Sequence, residues 1–410
     1  MRPSLARGAC PSLSAPMATG DGLLARLNPR HGRLTAAQLA GVAWAAGRHG
    51  NGLLEVTLRG SLQIRGLSER SAPFFAGDVA ALDIAADEGP EIRVSALAGL
   101  AADEVADPRP LADTIRARLN QGDLPSRLAP KTSILVDGGG RLGLTDLNAD
   151  VRLVAVRDGQ GSAWLVHAGG VESEAALLGA GEESGAASAA LALLTELAAR
   201  GRQARGRDFA GEALTRLSAG LTPAAPRPQA IALLPVGRFG LADGAVAIGV
   251  SLPFGQVEAS QLETLAGAVE TETSIHLTPG RGLLVAGLAP DAVDRIEAFA
   301  RQLGFVTDPA DPRLIVVSCA GAPACRSSHL DTKAIARAIA ADTGLRGTAA
   351  LFHVSGCAKQ CARPQGPSLS VVGRDDGFDI VSEGEPMADE IHGRLRDAAQ
   401  RHTAKRSVPA

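Results

Sequence analysis

One strand-helix-strand-strand unit is written twice in this chain of 410 residues, and that duplication restricts the possible fold more than any other feature. LEVTLRGSLQIRGL (Leu54 to Leu67) aligns without gaps on IHLTPGRGLLVAGL (Ile275 to Leu288), with identities at Thr57/Thr278, Leu62/Leu283, Gly66/Gly287 and Leu67/Leu288. Upstream, HGRLTAAQLAGVA (His31 to Ala43) parallels FGQVEASQLETLA (Phe254 to Ala266), where Gly32, Gln38 and Leu39 match Gly255, Gln261 and Leu262. Ala-rich helices resemble one another by composition alone, but the strand ending in Gly-Leu is not Ala-rich, so the match reads as a true duplication. Further α/β sequence follows each copy. After the first come EIRVSALAG (Glu91 to Gly99), KTSILVDG (Lys131 to Gly138), VRLVAVRDG (Val151 to Gly159), SAWLVHAGG (Ser162 to Gly170) and a helical stretch from Ala186 to Arg202. A Pro-rich segment, LTPAAPRPQ, separates the halves.

After the second copy come four cysteines in two pairs, Cys319 and Cys325 in SCAGAPAC, Cys357 and Cys361 in SGCAKQC. Each pair follows a short apolar, β-branched run, LIVVS (Leu314 to Ser318) and ALFHVS (Ala350 to Ser355). Between them Ser328 with Asp331 fits a capping box, and Ala334, Ile335, Ala338 and Ile339 have helical spacing that stops at Gly344. In a right-handed βαβ crossover the two strands are parallel, so both cysteine pairs are expected at one edge of the sheet. Four converging thiolates suit a 4Fe-4S cluster, in which each iron takes one sulfur from the protein. A four-cysteine zinc site is the competing reading, although the gap of five residues in the first pair exceeds the usual two to four. Disulfides fit less well, because five cysteines is an odd number and nothing marks the chain for secretion.

These signals divide the chain into an N-terminal segment with the first half-unit (1–80), a first α/β region (81–220), a linker (221–229), the second half-unit (230–304), the cysteine-bearing α/β region (305–400) and a tail (401–410). With 41 basic and 44 acidic residues there is no global pull toward nucleic acid or an anionic membrane, and aromatics at 3% with no Tyr leave few platforms for stacking bases. No stretch reads as a signal peptide or a transmembrane span, so a cytoplasmic protein with reduced thiols is expected. Cys10, the fifth cysteine, sits in a Pro- and Ser-rich opening; free cysteines most often act as small buried hydrophobes, and the alternative is that this segment wraps over a cavity with Cys10 facing it.

A duplicated half-domain followed by cysteines spaced in this way resembles the sulfite and nitrite reductase superfamily. Within it, RGACPSLSAPMATGDGLLARLNP (Arg7 to Pro29) and SGCAKQCARP (Ser355 to Pro364) look most like the precorrin-3B synthase family, and the likeness runs from about Arg7 to Gly373. The resemblance implies an α+β fold of duplicated ferredoxin-like half-domains plus two α/β domains of the sulfite reductase haemoprotein type, with the cluster in the second. It further implies O2-dependent hydroxylation of precorrin-3A at C20 with closure of a γ-lactone, a step of aerobic cobalamin biosynthesis. Electrons would come from NAD(P)H through a partner, since no Gly-rich dinucleotide fingerprint follows a strand. A mononuclear non-haem iron beside the cluster is also implied. No local pattern of histidines reveals its ligands; His329 and His353 stand nearest the cysteines in sequence.

Several site positions carry over from the superfamily's motifs. Thr57-Leu58-Arg59 matches the strand that presents an arginine to the tetrapyrrole, with Gln63 farther along on the same face. Arg93 matches the next arginine. Where the superfamily has lysine-x-lysine, this chain has Lys131-Thr132-Ser133, and losing the second lysine argues against the alternative, a sirohaem-dependent sulfite or nitrite reductase. By the same resemblance Cys361 is the ligand nearest the substrate. Independently of family, a tetrapyrrole with acetate and propionate arms calls for fixed cations around a large apolar floor, and Arg59, Arg93, Lys131 and Arg281 are the candidates, with Lys359 and Arg363 flanking the last cysteine.

Overall fold

The computed structural model describes residues 11–86, 89–159, 161–228, 233–345, 351–364, 366–383 and 389–403. The first unit runs β1 (Met17–Thr19), β2 (Gly22–Leu27), β3 (Arg33–Thr35), α1 (Ala36–His49), β4 (Leu53–Val56), β5 (Leu62–Leu67) and α2 (Ala72–Ala80). The first α/β region follows with β6 (Glu91–Val94), α3 (Pro108–Leu119), α4 (Leu124–Arg127), β7 (Ser133–Asp137), β8 (Val151–Asp158), β9 (Gly161–Ala168), β10 (Ala176–Gly181), α5 (Glu183–Arg200) and α6 (Glu212–Leu217). The second unit repeats the first as β11 (Gly237–Gly240), β12 (Val246–Ser251), β13 (Gln256–Glu258), α7 (Ala259–Ala266), β14 (Ser274–Thr278), β15 (Gly282–Leu288) and α8 (Val293–Gln302). The cysteine-bearing region then supplies β16 (Val316–Ser318), α9 (Thr332–Ala341), β17 (Leu351–Ser355), β18 (Ser368–Arg374), β19 (Gly377–Glu383) and α10 (Asp389–Thr403).

The two repeated units are interlocked. The first sheet is ordered β1-β2-β5-β4-β13 and the second β11-β12-β15-β14-β3, so each sheet takes a three-residue edge strand from the other copy. Arg33–Thr35 pairs with β14, and Gln256–Glu258 pairs with β4. Helices α1 and α7 pack together, and Leu39, Val42, Leu54, Ile64, Leu262, Leu265, Leu283 and Val285 belong to one continuous core spanning both units.

The repeated identities have physical reasons. Gln38 and Gln261 occupy the third position of capping boxes, their amide oxygens accepting the N–H groups of Thr35 and Glu258 at 3.0 Å each. Their amide nitrogens donate to Leu82 and Leu303 carbonyls, tying each first helix to the chain beyond the second. Gly66 and Gly287 both sit at left-handed φ, 73° and 84°, where a Cβ is penalised.

Only one face of each sheet belongs to that core. In the first sheet Ala25, Leu27, Leu54, Val56, Leu62 and Ile64 point into it, so the intervening Arg26, Glu55, Gln63 and Arg65 lie on the opposite face. In the second sheet the opposite face is apolar, with Ala247, Leu284 and Ala286 covered by Ala96 and Leu97, which follow β6, and by Leu142, which follows β7. The corresponding position on the first sheet faces the tips of β16 and β17. Gln256 makes that join, donating to the Glu55 carboxylate at 2.5 Å and to the Ser318 carbonyl at 3.5 Å.

Strand β16 pairs in parallel with β17, Val316 opposite Phe352, and α9 crosses between them as the sequence implies. The cap differs from expectation. Asp331 accepts the Ala334 N–H at 3.0 Å and α9 starts at Thr332, while the Ser328 hydroxyl turns to the Leu330 carbonyl at 2.8 Å. Ser328 therefore shapes the turn before the cap. The Pro-rich segment is held against the first α/β region: Thr222 bridges to Ala180, and Arg227 makes a bidentate pair with Glu172 at 2.5 and 2.8 Å.

Candidate active site

A cavity of about 900 Å³ opens between the non-core face of the first sheet, the first α/β region and the cysteine loops. That volume is near the top of the roughly 300–1,000 Å³ typical of ligand sites. Cys319, Cys325, Cys357 and Cys361 all line it. Cys319 follows β16, and the loop after β17 carries the second pair, so the parallel crossover delivers all four thiols to one wall.

The loops are held by their backbones. The Gly356 N–H donates to Cys319 Sγ at 3.2 Å, the His329 N–H to the Gly356 carbonyl at 2.7 Å, and the Ser355 hydroxyl to the Cys357 carbonyl at 2.8 Å. From the other side the β1-β2 hairpin closes on the first pair, with the Arg326 N–H donating to the Gly20 carbonyl at 2.9 Å. Burial pushes the Cys319 thiol up, with Cys325 and Cys357 adding to the rise. Cys361 is raised in the same way, by burial and then by Cys319 and Cys357. Cys319 and Cys361, hindered in this way from ionising, suit a cluster cradle, because iron would replace the protons and neutralise the thiolates. Cys361 is the most exposed of the four.

A Cβ at position 20 would overlap Cys325 Sγ and approach the Ser327 hydroxyl at 2.9 Å. Gly20→Ala is therefore expected to lower iron content by displacing Cys325, with the core intact; iron assay alongside a thermal melt checks this.

Among the described residues no three His, Cys, Asp or Glu side chains converge where a single ion could sit. Cluster ligands each hold a different iron and need no such convergence. The mononuclear iron that the resemblance implies, however, finds no ligand set among the described residues. His353 is fully buried in β17, its Nδ1 3.1 Å from the Ser370 hydroxyl, and is pushed down to about 4 by burial and the charges of Arg281 and Arg363. His329 lies 3.5 Å from Asp375, and neither histidine lines the cavity.

The expected cations divide into two groups. Arg59 and Lys131 line the cavity. Arg59 lies not in a strand but in the tight turn between β4 and β5, donating through Nε to Glu91 at 2.6 Å and through Nη1 to the Asn148 carbonyl at 2.7 Å, while the buried Nη2 has no hydrogen-bond partner among the described residues. Arg93, Gln63 and Arg281 stand one layer behind the lining. Arg93 is 6% exposed; it donates to the other Glu91 oxygen at 2.8 Å and to the Gly60 carbonyl at 3.2 Å, bracing the turn that carries Arg59. Gln63 pairs across the strands, its oxygen accepting from Arg26 at 2.7 Å and its nitrogen donating to Glu55 at 3.0 Å. Arg281, at φ 69° in the turn equivalent to that of Arg59, reaches the Ala362 carbonyl at 3.4 Å and is pushed down to about 10 by burial. Of the two flanking charges, Lys359 lines the cavity and Arg363 pairs with Glu383.

Other lining cations escaped the sequence reading: Arg26, Arg65, Arg205 and Arg207. With Arg59, Lys131 and Lys359 they outnumber the lining acids, Glu91 and Asp150, by seven to two. Arg65 forms a buried bidentate pair with Asp21 at 2.7 and 2.8 Å and reaches Glu55 at 3.0 Å. The apolar part of the lining comes from small side chains, with Met17 the largest beside prolines, alanines and glycines. Cys10 lies outside the described residues.

Burial alone would raise the Glu91 carboxyl, but Arg93 and Arg59 outweigh it and hold the pKa below the ordinary value. A carboxyl with a depressed folded pKa stabilises the fold above its unfolded pKa, about 4.3, and that contribution disappears as pH falls through the folded value. Stability is thus expected to drop below about pH 4, and Glu91→Gln should flatten that limb in denaturation curves at a series of pH values.

Interlocked ferredoxin-like units with a four-thiol wall beside a basic cavity define a protein of the sulfite and nitrite reductase type. In agreement, the family described as the nitrite/sulfite reductase ferredoxin-like half domain matches residues 15–81 and 240–303. The Mycobacterium tuberculosis NirA structure superposes with a TM-score of 0.69 over 95% of this chain and 82% of that one at 18% identity, a likeness of fold. A sulfite reductase (NADPH) hemoprotein beta-component from Acidithiobacillus ferrooxidans is 25% identical over 170 residues, covering 38% of this chain and 30% of the relative. A precorrin-3B synthase from Sinorhizobium sp is 39% identical over 388 residues, 93% of this chain and 84% of the relative. The chain belongs to the precorrin-3B synthase family, whose members are oxidoreductases. No helix among the described residues is long and apolar enough to cross a membrane.

Proposed function

We propose that this chain hydroxylates precorrin-3A at the C20 meso carbon and closes a γ-lactone with the ring A acetate. One atom of dioxygen enters the macrocycle and the other leaves as water. Two electrons balance the reaction, drawn from NAD(P)H through a partner protein in the cytoplasm. The observation that carries this reading is the sharing of one cavity by four cysteines and an excess of cations. Cys319, Cys325, Cys357 and Cys361 would hold a 4Fe-4S cluster, which when bound supplies single electrons at the cavity wall.

The chain's own residues bind and orient. Tetrapyrrole carboxylates are matched by the guanidinium forks of Arg59, Arg205 and Arg207 and the ammonium of Lys131. Arg59 is preset by Glu91 and Asn148 at the cavity wall, where its guanidinium is placed for a carboxylate. Arg93 acts as a positioning residue through Glu91 and Gly60. The β1-β2 hairpin lines the cavity through Met17 and Thr19 and narrows the access of water. Cys361, the most exposed thiol, is the ligand that faces the substrate.

An absorption spectrum of the purified holoprotein with iron and sulfide analysis tests this assignment. A broad band from cluster iron without a Soret peak is expected, together with tight binding of added precorrin-3A. Sirohaem retained through purification, with turnover of sulfite or nitrite, would replace the substrate reading with a reductase.

A further inference from the structure

The cavity wall contributed by the first α/β region is built around one buried carboxylate. Asp150, 5% exposed, accepts the Ser133 N–H at 3.0 Å, the Gly206 N–H at 2.9 Å and the Arg205 guanidinium at 3.2 Å. It thereby joins the start of β7, two residues beyond Lys131, to the short turn Gly206–Asp208 that carries Arg207. The turn is locked at its entry as well, since Asp208 accepts the Arg205 N–H at 2.7 Å. It is packed so closely that a Cβ on Gly206 would overlap the Asp150 backbone and one on Gly169 would overlap that of Arg207. Arg59 fixes the neighbouring Asn148 carbonyl at 2.7 Å, so segment 148–150 carries a guanidinium on either side.

Charge on this wall is not balanced among the described residues. The hydrogen-bonding capacity of Asp150 goes to two backbone N–H groups and Arg205, and Glu91 is shared by Arg59 and Arg93. Arg207 and Lys131 line the same cavity without a carboxylate partner among the described residues. Like charges gathered beside a low-dielectric cavity repel, and a rigid arrangement of them is favourable only when an anion bridges them. Planar guanidinium forks suit carboxylates in particular.

We propose that Arg205 and Arg207, held by Asp150 and joined by Lys131, form a carboxylate clamp on the wall contributed by the first α/β region. This clamp reads the acetate and propionate arms of the tetrapyrrole and sets which macrocycles are admitted. The proposal rests on the reading of the cavity as a tetrapyrrole substrate site. Arg205 is the fixed jaw, because Asp150 restrains it, and Arg207 at the exposed tip of the turn is the adaptable one.

The test is fluorescence titration of the iron-sulfur holoprotein with uroporphyrin, which bears acetates and propionates, and with coproporphyrin, which bears propionates only. R207E is expected to weaken uroporphyrin binding about tenfold, and R205A/R207A about a hundredfold, with a shallower salt dependence. Coproporphyrin binding should fall less. Iron and sulfide content should match the unsubstituted protein in both variants, and in R207E, which leaves the Arg205–Asp150 pair in place, the melting temperature should match as well. Affinity within about twofold of the parent in the double variant overturns the clamp alone. Failure of the parent protein to bind either porphyrin overturns the clamp together with the substrate reading beneath it.

Discussion

Cys357→Ser is expected to give a protein without stoichiometric iron or sulfide, without turnover, and less stable by on the order of 4 kcal/mol or more. Cys357 sits where the loop after β17 meets the loop after β16, linked through Gly356 to Cys319 Sγ and to His329. These loops contribute little to the core beneath α9, which is built from Ile335, Ile339, Phe352, Val354, Leu369 and Leu395. With the proposed cluster bound, metal ligation would add to the backbone bonds that order them, so folding of the loops and loading of the cluster would be coupled. Serine keeps the shape but offers a poor ligand for iron that sulfur prefers. Iron and sulfide assay, turnover and denaturant unfolding are the measurements; full cluster content with the parent melting profile would contradict the assignment.

Asp21→Ala should destabilise the fold by about 3 kcal/mol, the lower end of the range for stranding one partner of a buried pair. The Asp21 side chain is fully shielded and that of Arg65 is 9% exposed, so a largely buried guanidinium loses its bidentate acceptor; Glu55 still holds one nitrogen. The pair ties the β1-β2 hairpin to β5 beneath the cysteine wall, so a looser cavity should accompany the loss. Burial by itself raises the Asp21 carboxyl, but the hydrogen bonds and charge of Arg65 reverse the shift and hold it below the ordinary value, which is the signature of a pair that matters to stability. Arg65→Met in the same chain should recover most of the loss, because a packed apolar side chain has no charge to strand. Urea titrations of the single and double variants test the coupling; additive losses would contradict it.

The duplication, the parallel crossover and the four thiols on one wall were legible in the sequence because each rests on local signals: repeated Gly-Leu strand ends, apolar runs, cysteine spacing. The strand exchange was not legible. Arg33–Thr35 and Gln256–Glu258 are three residues each, too short for alternation to register, and their partners lie in the other copy. Arg59, Gln63 and Arg93 were expected to share one cavity surface, yet the turn at 58–60 separates Arg59 from the strand of Gln63, and Arg93 spends its donors behind that turn. Arg26 and Arg65 alternate with core residues, a pattern that normally marks a solvated face. Only the packing of a second region over that face turns them inward. Arg205 and Arg207 are placed by a carboxylate more than fifty residues earlier in the chain, at position 150, which no local pattern reveals.

In the proposed reaction, a cavity suited to a tetrapyrrole beside a cluster takes that macrocycle as substrate for oxygen insertion. Anaerobic loading of the holoprotein with precorrin-3A and a reductant, followed by a pulse of isotopically labelled dioxygen and mass spectrometry, tests it most directly. The expected product is a lactone carrying one labelled oxygen atom, absent in Cys357→Ser. Recovery of precorrin-3A unchanged from fully cluster-loaded enzyme would contradict it.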